Sequence, residues 1–318
     1  MCGIAGLHLR NPLLYPALGE LLGGMLSQAQ GRGNDSAGVG IYSDPATIPA
    51  GQATVCVLGA QPDIGEDPGA HAVAVAAAVA GEADGIVHGV QVETAGQTTV
   101  IRALAAPAEL DAAVRAALPD ATVISRGRTL TVLKGTGEPD ALAKDWRLAA
   151  RGGWQGVAHT RMATESAVTP GGSHPFSVGD DECLVHNGSF SNHESIRKRL
   201  IAAGVAFDSL NDTEVGARFI ARELATGAPV ERALTALCAR FDGFYTLLVS
   251  SATSFAVVRD AIACKPAVVA ETADLVAVAS EYRYLTGLPG IENARIFEPD
   301  PEVVYAWERS LTKTLQPV

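Results

Sequence analysis

The chain has 318 residues, 47% of them hydrophobic, and a formal net charge of −11. That supplies a large core, in two domains or in one layered domain with an insertion. The acidic balance excludes an ordinary nucleic-acid binder, which needs clustered Lys and Arg, and no run approaches the ~20 continuous apolar residues of a membrane-spanning helix.

CGIAGLHLR reads as a buried strand, and LYPALGELLGGMLSQAQ carries apolar residues at helical spacing up to a breaker at GRG. SAGVGIY, residues 36–42, is a second strand. Residues 43 to about 70 are rich in Pro, Gly, Asp and Ala, which predicts surface loops around one strand, ATVCVLGA. From about residue 85 the texture changes. IVHGVQVET and TTVIRALA alternate like strands joined by AGQ, and PAELDAAVRAAL opens like a helix, with Pro and an acid in its first turn. ATVISRGRTLTVLKG reads as two strands around Arg126-Gly127, and PDALAKDWRLA as a helix. This segment shows no catalytic constellation, and the stretch at about 50–150 reads as a small α/β insertion.

WQGVAHTRM resumes the buried-strand pattern, and ECLVHNGSFSN is a strand into a polar turn. NHESIRKRLIAAG is a helix with Asn192 as cap and Gly204 after its end. DTEVGARFIAREL and VERALTALCARF are helices; FYTLLVSS, SFAVVRD, AVVAET and LVAVASE are short β-rich runs spaced as in a meander. The sum is an α+β chain in layers. The five cysteines, Cys2, Cys56, Cys183, Cys238 and Cys264, are scattered and include no CxxC pair. No disulfide framework, zinc site or iron–sulfur site follows from that spacing, and a reducing cytoplasm fits it. The first twenty residues lack the basic flank of a signal peptide.

Cys2 raises a chemical question, because a chain start is usually loose and solvated and this one is small and apolar. Removal of Met1 would leave a thiol and a free α-amine on one residue. An amine of pKa about 7.7–8.0 can take the proton of a thiol of pKa about 8.5, which gives a nucleophile and its base together. Alternatively, Cys2 is a small apolar filler. Three further stretches stand out: Arg32-Gly33-Asn34-Asp35-Ser36-Ala37-Gly38, then His159-Thr160-Arg161-Met162-Ala163-Thr164 with His186-Asn187-Gly188, and Asn211-Asp212-Thr213-Glu214. Each has an ordinary structural reading: a helix-to-strand turn, an Asn-Gly turn, and a helix start capped by Asp212.

Together and in this order, they resemble the class II glutamine amidotransferases, the N-terminal-nucleophile family that hydrolyses glutamine to glutamate and ammonia. The likeness is carried by MCGIAGL, GRGNDSAG, VAHTRMATESAVTPGGSHPFSVGDDECLVHNGSFSNHESIRKRL and LNDTEV, and continues weakly through VVRDAIACKPAVVAETADLVAVASE. It covers residues 1–42 and 155–285; residues 50–150 match nothing in the core pattern. The resemblance implies a four-layer αββα N-terminal-nucleophile hydrolase sandwich, forming one amidotransferase domain over 1–318 with the inserted segment.

It also implies roles. Cys2 attacks the side-chain amide carbon. Asn187, through its side-chain amide, and Gly188, through its backbone N–H, form the oxyanion hole. Arg161 clamps the substrate α-carboxylate, for which an Arg fork is suited; Asp212 takes the α-ammonium; Thr164 belongs to the same pocket. Arg32 stands near the nucleophile, where positive charge favours thiolate. No metal is implied. His159 and His186 follow apolar strand residues and read as structural, as do Cys56, Cys183, Cys238 and Cys264 as packing. Met162 and Glu165 stand where well-known members often have Trp and His, in a loop expected to close over glutamine; ESAVTPGGSHPF, residues 165–176, has a mobile lid's composition.

The sequence shows no phosphoribosyl-pyrophosphate loop, sugar-isomerase region or G-x-x-x-x-G-K loop. The expected ammonia acceptor is therefore another polypeptide, in a hetero-oligomer without nucleic acid or membrane. TRMATESAVTPGGSHPF resembles the stand-alone amidotransferase subunits of glutamate-synthase-like complexes, of which N-methylglutamate synthase is one. That implies FMN and an iron–sulfur cluster on a partner subunit, with no cofactor in this chain. Two other readings stay open: a self-contained amide hydrolase of the same superfamily, and a silent glutamine-binding regulatory subunit that retains Met1.

Overall fold

The computed structural model describes residues 2–43, 51–63, 65–83, 85–162 and 168–309. The first half runs β1 (Gly3–Leu9), α1 (Leu18–Ala29), β2 (Ser36–Tyr42), β3 (Gln52–Leu58), α2 (Pro68–Gly81), β4 (His88–Ala95), β5 (Thr98–Leu104), α3 (Pro107–Ala117), β6 (Thr122–Gly127), β7 (Leu130–Thr136) and α4 (Pro139–Asp145). The second half runs β8 (Gln155–Arg161), β9 (Phe176–Ser177), β10 (Glu182–Phe190), α5 (His193–Ala202), α6 (Asp212–Ala225), α7 (Val230–Cys238), β11 (Gly243–Ser251), β12 (Ser254–Arg259), β13 (Val268–Glu271), β14 (Leu275–Ala279), β15 (Arg295–Phe297) and β16 (Tyr305–Glu308).

The strands form a seven-stranded sheet in the order β15-β13-β14-β1-β8-β2-β7, a five-stranded sheet β16-β12-β11-β10-β9, and a four-stranded sheet β4-β5-β3-β6. Neighbouring strands pair antiparallel throughout, as in the pairs that flank β1 and β10.

Period-two alternation sorts the side chains of β1 into two faces. Ala5, Leu7 and Leu9 take one face. Gly3, on the same face, comes close to Ala29 of α1, and Leu18, Leu22, Met25 and Leu26 of α1 are buried in the same core. Ile4, Gly6 and His8 take the other, which meets the five-stranded sheet. The Gly6 position lies against Leu248 and Phe255, and the His8 ring stacks on Phe255 at a centroid distance of 5.9 Å. The far face of the five-stranded sheet, with Leu184, Phe190, Leu247, Val249 and Val258, packs on α5, α6 and α7 through Val215, Phe219, Leu234 and Leu237. The order is helix, sheet, sheet, helix: the four-layer α+β sandwich.

The four-stranded sheet has its own core of Val55, Val57, Ile101 and Ala103 under Val75 and Val79 of α2 and Leu110 and Val114 of α3. Four expectations need correction. ATVISRGRTLTVLKG forms β6 and β7 as expected, but the two strands part company. β6 closes the small sheet, and β7 pairs with β2 in the seven-stranded sheet from Leu130 to Thr136. Helix α2 occupies a stretch for which no helix was expected; Pro68 sits in its first turn and the Asp67 carboxylate accepts the Ala70 N–H at 2.8 Å. The C-terminal runs are no single meander, because β11 and β12 join one sheet and β13 and β14 the other. Cys264 is exposed and does not pack in the core, whereas Cys56 and Cys183 are buried and Cys238 is half-buried. No helix among the described residues is long and apolar enough to cross a membrane.

Phe255 is fully buried between the two large sheets. Phe255→Ala is expected to lower unfolding stability by about 3–5 kcal/mol, read as a shift of the urea midpoint at unchanged slope.

Candidate active site

Cys2 is half-buried and immediately precedes β1. Gly3 pairs with Thr160 on β8, so the register sets Cys2 beside Arg161, whose other neighbour is Ser36 on β2. The Cys2 carbonyl oxygen accepts two hydrogen bonds, from Arg32 Nε at 2.9 Å and from Asn187 Nδ2 at 3.1 Å. Arg32 also pairs through Nη1 with Glu281 at 2.8 Å, and Glu281 holds Arg283 at 2.8 Å. Arg32 thus stands behind the Cys2 backbone, outside the cleft wall. An amide NH2 carries two hydrogens, so Asn187 keeps one donor beyond the bond to Cys2.

HNG does not form a turn: Asn187 and Gly188 lie inside β10, in register with Thr246 and Tyr245 of β11. The ladder explains what this does. Tyr245 exchanges its backbone N–H and C=O with Asp260, on the side away from β10: its N–H donates to Asp260 Oδ1 at 2.7 Å and its C=O accepts from the Asp260 N–H at 3.0 Å. Alternate residues of an antiparallel strand turn their N–H groups to the same side. On the open side of β10, the His186 N–H donates to His174 Nδ1 at 3.1 Å and the Phe190 N–H to Asp212 Oδ2 at 2.8 Å. The Gly188 N–H falls between them, facing the cleft. Gly188 has φ of +144°, and a Cβ there would run into the Phe244 carbonyl oxygen; glycine alone takes that backbone without strain.

Asp212 opens α6, but Asn211 caps the helix, accepting the Thr213 N–H at 2.9 Å. The Asp212 carboxylate turns instead to β10, which carries it to the edge that holds Gly188. Cys2, Arg161, Asn187, Gly188 and Asp212 line one cleft of about 1090 Å³. Thr164 and Glu165 lie outside the described residues, as do residues 165–167 of the loop expected to close over glutamine.

The two histidines read as structural are buried. His159 Nε2 donates to the His186 carbonyl at 3.1 Å, and its ring stacks on His174 at 4.0 Å. His174 accepts on Nδ1, so its proton is on Nε2, aimed at Thr213 Oγ1 at 3.4 Å. His186 Nδ1 lies 2.9 Å from the same hydroxyl. Burial pushes His159 down to about 3 and His186 to about 4, and holds His174 well below the usual imidazole range. All three are neutral where a thiol reacts, and among the described residues no histidine ring hydrogen-bonds Cys2. No group of three or more His, Cys, Asp or Glu among the described residues is placed to hold a metal ion.

Sequence reasoning missed Glu281, which anchors Arg32, and His174 and Thr213, which share one hydrogen-bond network with His186. It also missed Lys134, a cleft residue only 2% exposed. The signal for Lys134 was a lone cation inside the apolar run TLTVLKG.

Residues 159–287 match a family pattern described as a glutamine amidotransferase domain. The chain is 44% identical to the glutamine amidotransferase-like protein GlxB of Rhizobium meliloti, over 97% of this chain and 98% of that protein. It is 42% identical to the glutamine–fructose-6-phosphate aminotransferase of Pseudomonas putida over 31% of this chain, which is 16% of that enzyme. The glutamine phosphoribosylpyrophosphate amidotransferase of B. subtilis shares its fold at a TM-score of 0.57 and 17% identity, covering 98% of this chain and 50% of that one. The end-to-end match to the Rhizobium protein, on a fold that puts Cys2 in the cleft, leaves one conclusion: this chain belongs to the class II, N-terminal-nucleophile glutamine amidotransferases.

Proposed function

We propose that this chain is a glutaminase subunit that hydrolyses L-glutamine through a Cys2 thioester and passes the ammonia to a separate synthase subunit. One observation carries the reading: the open edge of β10 presents the Gly188 N–H beside Asp212, while Asn187 on the same strand reaches Cys2.

The steps follow from those positions. With Met1 removed, the Cys2 α-amine takes the thiol proton and the sulfur attacks the glutamine side-chain carbonyl carbon. The oxyanion accepts from the second hydrogen of Asn187 Nδ2 and from the Gly188 N–H. The amine returns its proton to the leaving nitrogen, the C–N bond breaks, and ammonia departs from a thioester. Water then adds to the thioester with the amine as base, which releases glutamate and the thiol. Arg161 holds the α-carboxylate and Asp212 the α-ammonium, so the site takes a free amino acid and acts on its side-chain amide. Thr164 completes the pocket. Arg32 fixes the Cys2 backbone and adds positive charge nearby.

The acceptor in this proposal is a glutamate-synthase-like subunit that carries FMN and an iron–sulfur cluster, with N-methylglutamate synthase as one such complex. It is supported by the wording of residues 160–176. The absorption spectrum of the chain co-purified with its native partners tests this, and a colourless complex would remove the flavin subunit.

The intact mass of the expressed protein is expected to begin at Cys2, and Cys2→Ala to abolish glutamine hydrolysis. A chain that starts at Met1 would favour the silent regulatory subunit. Asp212→Asn keeps an acceptor for the Phe190 N–H but removes the charge. It is expected to raise KM for glutamine about 10–100-fold, because a hydrogen bond to a charged group is worth about 1.5–3 kcal/mol. Unchanged glutamine kinetics would point to the self-contained hydrolase of another amide.

A further inference from the structure

The strand registers put a second cation in the cleft. Ile4 pairs with His159, His159 with Gly38, and Gly38 with Lys134, so one row crosses β1, β8, β2 and β7. Directly paired residues share a face, and this face is the one turned to the five-stranded sheet. Gly38 puts no side chain in the row; its space is taken by the His174 carbonyl. Lys134 therefore extends along the cleft floor, two strands from Arg161, or roughly 10 Å across the sheet at about 4.8 Å per strand.

The Lys134 amine has no hydrogen bond or ion pair among the described residues; its one polar contact is the Phe176 ring, 4.5 Å below it. The carboxylate whose charge it feels, Glu214, is already saturated. Glu214 Oε1 accepts from the Asp208 N–H at 2.8 Å and from Arg218, and Oε2 from the Ser209 N–H and hydroxyl, both at 2.7 Å. Ile124, Phe176 and Val178 add apolar lining to the cleft, next to the neutral His174 ring and the saturated Glu214.

We infer that the cleft contains a second subsite, at Lys134, that binds the carboxylate of a small organic acid alongside the glutamine site. An unpaired buried ammonium is costly, and an anion that enters the lobe restores its missing partner. A single ammonium above an aromatic ring matches the single charge of a carboxylate, whereas a phosphate would leave most of its acceptors unmet against Ile124, Phe176 and Val178. The aliphatic body of the acid lies on those side chains. Glutamine brings one carboxylate, which Arg161 takes, so the ligand of Lys134 is a different molecule. Burial pushes Lys134 down to about 7, which leaves it cationic enough near neutrality to hold an anion.

The test is calorimetric titration of the full chain with succinate, before and after alkylation of Cys2 by a glutamine-like diazoketone that fills the Arg161–Asp212 end. Intact mass reports the adduct; its absence would count against the glutaminase reading, while the untreated chain still tests this one. The expected result is saturable succinate binding that survives alkylation and weakens at least tenfold in Lys134→Met. Ile124→Trp, which fills the lobe and keeps the charge, is expected to weaken it likewise in a chain of unchanged melting temperature. Three outcomes overturn the inference: no saturable binding, binding unaffected by Lys134→Met, or binding lost on alkylation with a raised glutamine KM in Lys134→Met. The last would assign Lys134 to the glutamine carboxylate itself.

Discussion

The structure depends on fixing Cys2, next to the start of the chain. β1 runs through the middle of the seven-stranded sheet, paired with β14 on one side and β8 on the other, and all seven of its residues are buried. Ordering a chain terminus costs conformational entropy that most proteins do not spend there. Here the two ladders offset that cost, and the Cys2 carbonyl adds two clasps. Arg32 reaches it from the end of α1, and Asn187 reaches it from the facing sheet. The thiol is thereby located relative to both large sheets at once.

The second sheet contributes through a hydrogen-bond pattern that needs few residues. β11 satisfies one side of β10; the other side is left to His174, the cleft and Asp212 in turn, at His186, Gly188 and Phe190. The free Gly188 N–H and the Phe190 N–H that holds the Asp212 carboxylate then sit two residues apart, with spacing set by the strand. The buried imidazoles support this edge. Kept neutral by burial, they lend hydrogen bonds to the β10 backbone and to Thr213 without adding charge.

Much of this was legible in the sequence. The buried strand at Cys2 was visible from its apolar pattern, whereas Arg161 and the Asn187-Gly188 pair stood out only through the order of the combined motifs, each having an ordinary local reading. The helices α5, α6 and α7 were visible from their periodicity. What misled was local plausibility. Asn-Gly favours tight turns, yet the ladder with Thr246 and Tyr245 extends β10 through it. Asp212 looks like a cap, yet Asn211 takes that place, because the Asp212 carboxylate is drawn to the Phe190 N–H. The partition of strands among sheets is set by long-range pairing, and no local pattern carries it; hence β6 and β7, adjacent in sequence, separate.

That separation matters most for the cleft. The stretch from β3 to β6 builds a sheet with its own core, but β7 returns the chain to the main sheet beside β2. It brings Lys134 onto the floor that Cys2 and Arg161 share, while Ile124 of β6 forms the wall above. Burying a lysine without an anion carries a desolvation cost. An apolar side chain would complete β7 at less cost, since the run around it is apolar and the Phe176 ring lies beneath. Through one strand register the stretch at about 50–150 thus contributes Ile124 and Lys134 to the same cavity that Cys2 lines.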